Sequence, residues 1–244
     1  MKKFISLSKY PGKTGEYFYN YFFKHYEIDA VYEPRGTDNL YKSIEDAIMD
    51  NIAGISISMP YKQAVIEYIE RPTGYVEIYN SCNTITINNG MFKGHNTDIA
   101  GVEYTAQFIN KGDKITLLGS GAMSGMYLTL LEPDHYANLN VCARSLNSWH
   151  NRNYPADVII NTTALGTSNS ESPFEELPPG IRLVIDLSIK TNELEKQCAT
   201  AGIKYISGRE FYREQFLRQF EIYTGIAPDV TIFKQAEKQL YETI

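Results

Sequence analysis

A short apolar run, Ile115 to Leu118, leads directly into Gly119-Ser120-Gly121-Ala122-Met123-Ser124-Gly125 and then into a stretch of helical character. This order constrains the fold more than any other feature of the chain. A strand that ends in Gly-x-Gly and turns at once into a helix is the phosphate-cradling corner of a βαβ unit. The first glycine permits the tight turn, and the second lets the backbone approach a pyrophosphate. The helix N-terminus offers free N–H groups and a partial positive charge. Gly119 and Gly121 take the two glycine places, with Ser120 and Ala122 beside them. A plain strand-to-helix turn that uses glycine only for its geometry has the same pattern, so the corner alone leaves both readings open.

The rest of the chain repeats the alternation. Lys3 to Leu7, Ile28 to Tyr32 and Gly54 to Ser58 read as strands; Thr14 to Tyr26 and Asp38 to Met49 read as helices, the second capped by Asp38. A helix is expected straight after Ser58, with Pro60 in its first turn. Asn88-Asn89-Gly90 between Cys82–Ile87 and Met91–Lys93 signals a hairpin. A helix at about Gly101 to Asn110, strands at Asn140–Ala143, Val158–Ile160 and Leu183–Leu187, and helical stretches at Arg209–Tyr223 and Asp229–Thr243 complete the pattern, which predicts α/β architecture with a parallel sheet. At 244 residues the chain exceeds one small core, and 43% hydrophobic against 21% charged residues is ample for burying a real one.

A net charge of −6 argues against a nucleic-acid binder, which needs a basic face, so anionic small molecules must be met by locally placed cations. No apolar run approaches the roughly 20 residues of a membrane span. The segment after Met1-Lys2-Lys3 is too short and mixed for a signal peptide. Cys82, Cys142 and Cys198 are scattered and odd in number, as expected of reduced thiols in a cytoplasmic protein.

Binders of NAD place an acidic residue about 20 positions beyond the first glycine, whereas binders of NADP place a basic one nearby. Between His135 and Ala156 there is no acidic residue, but Arg144 follows the strand Asn140–Ala143. A guanidinium there suits a 2′-phosphate by charge and bidentate geometry, so NADP is the expected cofactor. A solvated arginine at a strand end is the alternative. Lys62, in the first turn of the expected helix, would have its ammonium disfavoured by the positive helix end and so becomes a candidate proton donor or acceptor, although taken alone it reads more readily as a surface lysine. Asp98, after the hairpin, is a second candidate, although taken alone it reads more readily as a helix cap.

These residues form a larger pattern that resembles the shikimate dehydrogenase family. Ser58-Met59-Pro60-Tyr61-Lys62 is similar to its Thr-x-Pro-x-Lys, and Ser81-Cys82-Asn83-Thr84 to its Ala-Val-Asn-Thr. Gly94-His95-Asn96-Thr97-Asp98 is similar to Gly-x-Asn-Thr-Asp, Gly119 to Ser124 to the Gly-Ala-Gly-Gly-Ala loop, and Ala143-Arg144-Ser145 to Asn-Arg-Thr. Asn161-Thr162-Thr163-Ala164-Leu165-Gly166 is similar to Asn-x-Thr-x-x-Gly. Gly208, Gln215 and Tyr223-Thr224-Gly225 match the C-terminal signature. The resemblance implies an N-terminal α/β substrate domain (1–99 with about 224–244) and a Rossmann-like NADP-binding domain (100–223), with C-terminal helices returning to the substrate domain. It implies hydride transfer from NADPH to the C3 carbonyl of 3-dehydroshikimate, with Lys62 and Asp98 on the reacting oxygen. Ser58, Asn83 and Gln215 would hold substrate. Gly119, Ser120, Gly121, Ala122, Arg144, Asn161, Thr163 and Gly208 would line the cofactor. No metal is required, and the protein would be a monomer or homodimer.

The pattern is broken in three places. The family's Ser-x-Ser, whose hydroxyls bind the substrate carboxylate, falls on Lys13 and Gly15; Ser6-Leu7-Ser8 is a shifted substitute, and Lys13 could meet a carboxylate as a point charge. Ile189 replaces a substrate-contacting tyrosine. The stretch from Arg144 to Asn161 is short by roughly a helix and a strand for a βαβ unit. These departures keep quinate or another cyclic hydroxy acid, and a non-catalytic binding role, as alternatives.

Overall fold

The computed structural model describes residues 1–166 and 171–242. The chain divides into two compact units, Met1–Thr97 with Phe216–Ile244, and Asp98–Gln215. The second boundary falls inside a helix rather than at its end.

The first unit begins with β1 (Lys2–Ser8), α1 (Thr14–His25), β2 (Ala30–Gly36), α2 (Leu40–Met49) and β3 (Ile52–Ile57). β1 lies between β2 and β3, parallel to both, and its Phe4, Ile5 and Leu7 are buried on both faces. That is why this strand reads as a continuous apolar run instead of an alternating one. Asn39, not Asp38, caps α2, its side chain accepting from the Lys42 N–H at 3.1 Å. Thr37 holds Asn39 in place by accepting from its backbone N–H at 2.9 Å, so the cap falls one residue later than the sequence pattern suggests.

No α-helix directly follows β3. Residues 58–63 form a turn, with the Tyr61 N–H bonded to the Ser58 carbonyl, and only a 3-10 segment, Ala64–Tyr68, succeeds it. The β-branched pair Val65-Ile66 favours helix weakly, and the Tyr61 hydroxyl is tied away to the Thr37 carbonyl. Lys62 therefore does not sit at the positive end of an α-helix, and the dipole argument for it falls away.

Two short elements, β4 (Arg71–Pro72) and α3 (Gly74–Tyr79), precede the hairpin of β5 (Thr84–Asn88) and β6 (Met91–His95). Asn89 and Gly90 have φ of 51° and 76°, the mirror-image turn that suits a right-twisted hairpin. β5 runs antiparallel to β3, so this sheet, in the order β2-β1-β3-β5-β6-β4, is mixed rather than wholly parallel.

One face of the sheet carries α2 and a cluster built on Ile5, Leu7, Ile55, Ile57, Ile85 and Phe92. The other face explains the aromatic wealth of the chain. Phe18, Tyr19, Phe22 and Phe23 of α1 pack against Phe216, Phe220 and Tyr223 of a long helix and Phe233 of the last one. Phe18 stacks on Phe233 at 4.3 Å, and Tyr19 on Tyr32 at 4.2 Å. Each fully buried ring of this size contributes about 1.5–3 kcal/mol.

The second unit comprises α4 (Asp98–Ala106), β7 (Ile115–Leu118), α5 (Ala122–His135), β8 (Leu139–Cys142), β9 (Val158–Asn161), β10 (Leu183–Asp186), α6 (Glu193–Ala201) and β11 (Lys204–Ser207). Asp98 is the first helical residue of α4 and not a residue preceding it. α7 (Gly208–Thr224) crosses from this unit into the first, where α8 (Val230–Glu242) follows; Thr243, expected at the end of that helix, lies outside the described residues. All five strands are parallel, in the order β11-β10-β9-β7-β8. The chain winds outward from β7 to β8, then returns to β9 on the other side of β7. The direction of winding reverses there, so the carboxyl ends of β7 and β9 form the topological switch point at which open α/β sheets bind ligands.

Candidate active site and family

The predicted glycine corner stands at the switch point. Gly119 has φ of +114°, and a Cβ there would fall 2.5 Å from Thr162 Oγ1 and 3.0 Å from Ser124 Oγ. Thr162 donates to the Leu118 carbonyl at 2.7 Å and lies 2.6 Å from Ser124 Oγ. The loop after β7 and the loop after β9 are thus clasped together, and only glycine fits between them. Gly121 is different: no atom lies within 4 Å of its would-be Cβ. Open space in front of the first turn of α5 is what close approach by a pyrophosphate requires. Ser120 and Ala122 are exposed beside it.

Asn161 behaves as a strut. Its side chain is fully buried, donates to Asp186 Oδ1 at 3.0 Å, and accepts from the Thr163 N–H and hydroxyl at 3.1 and 2.7 Å. Asp186, itself fully buried, also accepts from Asn192, the Ser188 N–H and the Tyr205 hydroxyl. A buried carboxylate with this many donors holds the Asn161–Gly166 loop in one shape. Burial, with Asp186 next, pushes the Tyr205 hydroxyl far above its ordinary value and the Cys198 thiol up to about 12. Gly208 is likewise forced by packing: a Cβ would meet the Leu187 carbonyl oxygen at 2.3 Å.

Arg144 opens a 3-10 turn straight after β8 and is exposed, with its guanidinium over the Trp149 ring. Ser145 Oγ lies 2.7 Å from Ser120 Oγ, which brings the basic residue and the glycine corner to one edge of the sheet.

In the first unit the backbone carries Lys62 and Asn83 side by side. The Cys82 N–H donates to the Lys62 carbonyl at 2.8 Å, and the Asn83 carbonyl accepts from the Ile57 N–H at 2.8 Å. Asn83 Oδ1 accepts from the Thr97 N–H at 2.9 Å and from Thr84 Oγ1 at 2.7 Å. Thr97 immediately precedes Asp98, which is buried. Ser58 sits exposed at the end of β3, its N–H bonded to the Leu7 carbonyl. Lys13 is exposed at the head of α1, where its carbonyl accepts from the Tyr17 N–H.

Residues 15–85 match the profile of the shikimate dehydrogenase substrate binding domain. A shikimate dehydrogenase-like protein of Haemophilus influenzae is 24% identical, covering 95% of this chain and 94% of its own. The NADP(+) shikimate dehydrogenase of Pyrococcus abyssi is 28% identical over 89% of each chain. The solved shikimate 5-dehydrogenase of Thermus thermophilus, in complex with NADP(H) and shikimate, superposes with a TM-score of 0.81 at 18% identity, covering 98% of this chain and 99% of that one. The chain thus carries a stretch similar to the shikimate dehydrogenase substrate binding domain, is similar along most of its length to shikimate dehydrogenases, and shares their fold.

Against the shikimate dehydrogenase pattern, the altered positions acquire structural meaning. A Cβ at Gly15 would touch the Tyr32 ring at 3.4 Å and its hydroxyl at 3.5 Å, so Tyr32 fills the space in front of that position. The Tyr32 hydroxyl is bonded by Ser6 and Ser56, and burial pushes its pKa up to about 12. Ser56 lies 3.0 Å from the Tyr223 hydroxyl, whose pKa burial raises further. Ile189, in place of the tyrosine, is exposed.

Sequence reasoning missed Gln219, one helical turn beyond Gln215 and on the same side of α7. Its Oε1 accepts from Tyr19 and Ser56 at 2.7 and 3.1 Å, and its Nε2 donates to the Asn83 carbonyl and to Thr84 Oγ1. Only the four-residue spacing from Gln215 pointed to it. His95, paired with Thr84 in the hairpin, was also passed over; burial first, then the nearby Lys93 and Arg218 charges, lower its pKa to about 4. Among the described residues, no group of three or more His, Cys, Asp or Glu could hold a metal ion, all three cysteines are buried and none is in a disulfide, and no helix is long and apolar enough to cross a membrane.

Proposed function

We propose that this protein is an NADP-dependent oxidoreductase that interconverts 3-dehydroshikimate and shikimate. The observation that carries the reading is the clasp at the switch point, where the Gly119 and Asn161 loops meet and Arg144 flanks them. Those residues fit a phosphorylated dinucleotide: open space at Gly121, the positive N-terminal end of α5, and a cation beyond β8 for a 2′-phosphate. When bound, NADPH supplies the hydride delivered to the substrate carbonyl carbon. Relatives bearing the name shikimate dehydrogenase (NADP(+)) support the same cofactor and substrate.

In this reading Lys62 gives its proton to the carbonyl oxygen on reduction and takes it back on oxidation. Asp98 holds the same oxygen through a hydrogen bond to its hydroxyl form. Asn83 and Ser58 orient the ring hydroxyls, Gln215 holds substrate from α7, and Lys13 meets the carboxylate as a point charge in place of paired hydroxyls. Thr163, whose hydroxyl is bonded to Asn161, and Gly208 shape the nicotinamide side. The replacement of the serine pair by Lys13 and Gly15, with Tyr32 in the space, favours one second reading, the same chemistry on a related cyclic hydroxy acid such as quinate.

The test is NADP⁺ reduction with shikimate, run beside NAD⁺ and beside quinate. Turnover fastest with shikimate and NADP⁺ is expected. Faster turnover with quinate transfers the assignment to the second reading. No turnover with either by folded protein refutes the catalytic reading.

A further inference from the structure

We propose that Trp149 is a positioning residue for the cofactor's 2′-phosphate, holding the Arg144 guanidinium against its indole face at the edge of the glycine corner. The inference rests on the dinucleotide reading of the second unit.

Between β8 and β9 the chain has no helix of ordinary length, only the 3-10 turns Arg144–Leu146 and Trp149–Asn153. This segment is closed onto the sheet by short bonds. Ser148 Oγ donates to the Val141 carbonyl at 2.8 Å and accepts from the Ala143 N–H at 3.1 Å. Ser145 and Ser120 hydroxyls lie 2.7 Å apart. Trp149 is the anchor, packed against the cluster that contains Leu118, Cys142, Ala156 and Phe174.

Two arginines lie over its ring, and they do different things. Arg152, with Cζ 4.9 Å from the ring centroid, donates Nε to the Pro173 carbonyl at 2.8 Å and a terminal nitrogen to the Trp149 carbonyl at 3.0 Å. Its guanidinium is committed to backbone and fixes the turn. Arg144, with Cζ 5.6 Å from the same centroid, is exposed at the end of β8. An indole face attracts a cation through its quadrupole, and a flat guanidinium settles on it. An unrestrained arginine samples many rotamers, so resting on a core-anchored ring removes entropy that phosphate binding would otherwise have to overcome. The Ser120 and Ser145 hydroxyls stand beside it as further donors to the same anion.

A ligand without a 2′-phosphate does not feel this arrangement, and that separates positioning from general stability. Dissociation constants of adenosine 2′,5′-bisphosphate and of ADP would be measured by calorimetry for the wild type, Trp149→Leu and Trp149→Phe. Trp149→Leu is expected to weaken the bisphosphate by about three- to tenfold and ADP by less than about twofold, with Trp149→Phe restoring most of the loss. Equal weakening of both ligands, or none, overturns the proposal. If the wild type does not distinguish the two ligands, the 2′-phosphate assignment of Arg144 fails and this inference with it. Trp149 is the sole tryptophan, so its emission is a direct probe that needs no change at that position. Saturating bisphosphate is expected to alter emission in the wild type and not in Arg144→Ala, and an unaltered wild-type spectrum overturns the proposal even if the Trp149 variants fail to fold.

Discussion

Two glycines two residues apart should respond oppositely to alanine. At Gly119 the backbone has φ of +114°, and the new Cβ would meet Thr162 Oγ1 at 2.5 Å. Forcing an L-residue into that region costs about 1–3 kcal/mol. Thr162 must move as well, which loosens its bonds to the Leu118 carbonyl and to Ser124, about 1 kcal/mol each. The sum, roughly 3–5 kcal/mol, predicts a melting temperature lower by roughly 6–20 °C for Gly119→Ala. At Gly121 nothing lies within 4 Å of the Cβ, so Gly121→Ala should leave the melting temperature unchanged. It should instead raise KM for NADPH, because the methyl occupies the space a pyrophosphate needs. Thermal unfolding followed by circular dichroism, paired with initial-rate kinetics, tests both halves. A fall of less than about 2 °C for Gly119→Ala would refute the argument that the clasp excludes a side chain. An unchanged KM in Gly121→Ala would remove the pyrophosphate from that corner.

Arg144→Ala should raise KM for NADPH by about tenfold or more with little change for NADH, since a charge-assisted phosphate contact is worth about 1.5–3 kcal/mol; equal losses with both cofactors would contradict it. Lys62→Ala should abolish measurable turnover while the far-ultraviolet spectrum stays native; retained turnover would show that another group moves the proton. Gln219→Ala removes an acceptor from the Tyr19 and Ser56 hydroxyls and a donor from the Asn83 carbonyl, and should destabilise by about 2–4 kcal/mol in denaturant titration. His95 resists protonation in the folded state until about pH 4, whereas the unfolded chain takes up that proton near 6.5. Stability should therefore fall as pH drops from about 6.5 to about 4, and His95→Gln should flatten that part of the profile; an unchanged slope would show that other groups set it.

The strands and helices that carry the site were legible because their signals are local. Ile115–Leu118 is four apolar residues before a glycine corner, and Asn89-Gly90 between alternating runs makes a hairpin. Errors arose where a neighbour distant in sequence overrode the pattern. The expected helix at Pro60 is a turn whose Tyr61 reaches back to Thr37. α6 and β11 were not anticipated, because the Glu193–Ala201 and Lys204–Ser207 periodicities are brief and partly polar.

Of the candidate site, the residue types were readable and several of the duties were not. Asn161 and Gly208 match binding motifs, yet one is a strut on Asp186 and the other a close contact with Leu187. Gln219 and Tyr19 bond each other across 200 residues of sequence, and Asn83 and Thr97 across 14. Sequence by itself determined the repeating strand–helix units, the glycine corner and the basic residue beyond β8, because backbone periodicity and turn chemistry act within a few residues. Tertiary structure alone decided that the aromatic side chains join α1 to the C-terminal helices, that Tyr32 fills the space before Gly15, and that Trp149 lies under Arg144. Those outcomes depend on which buried groups meet when the sheets assemble, and no local periodicity encodes such a meeting.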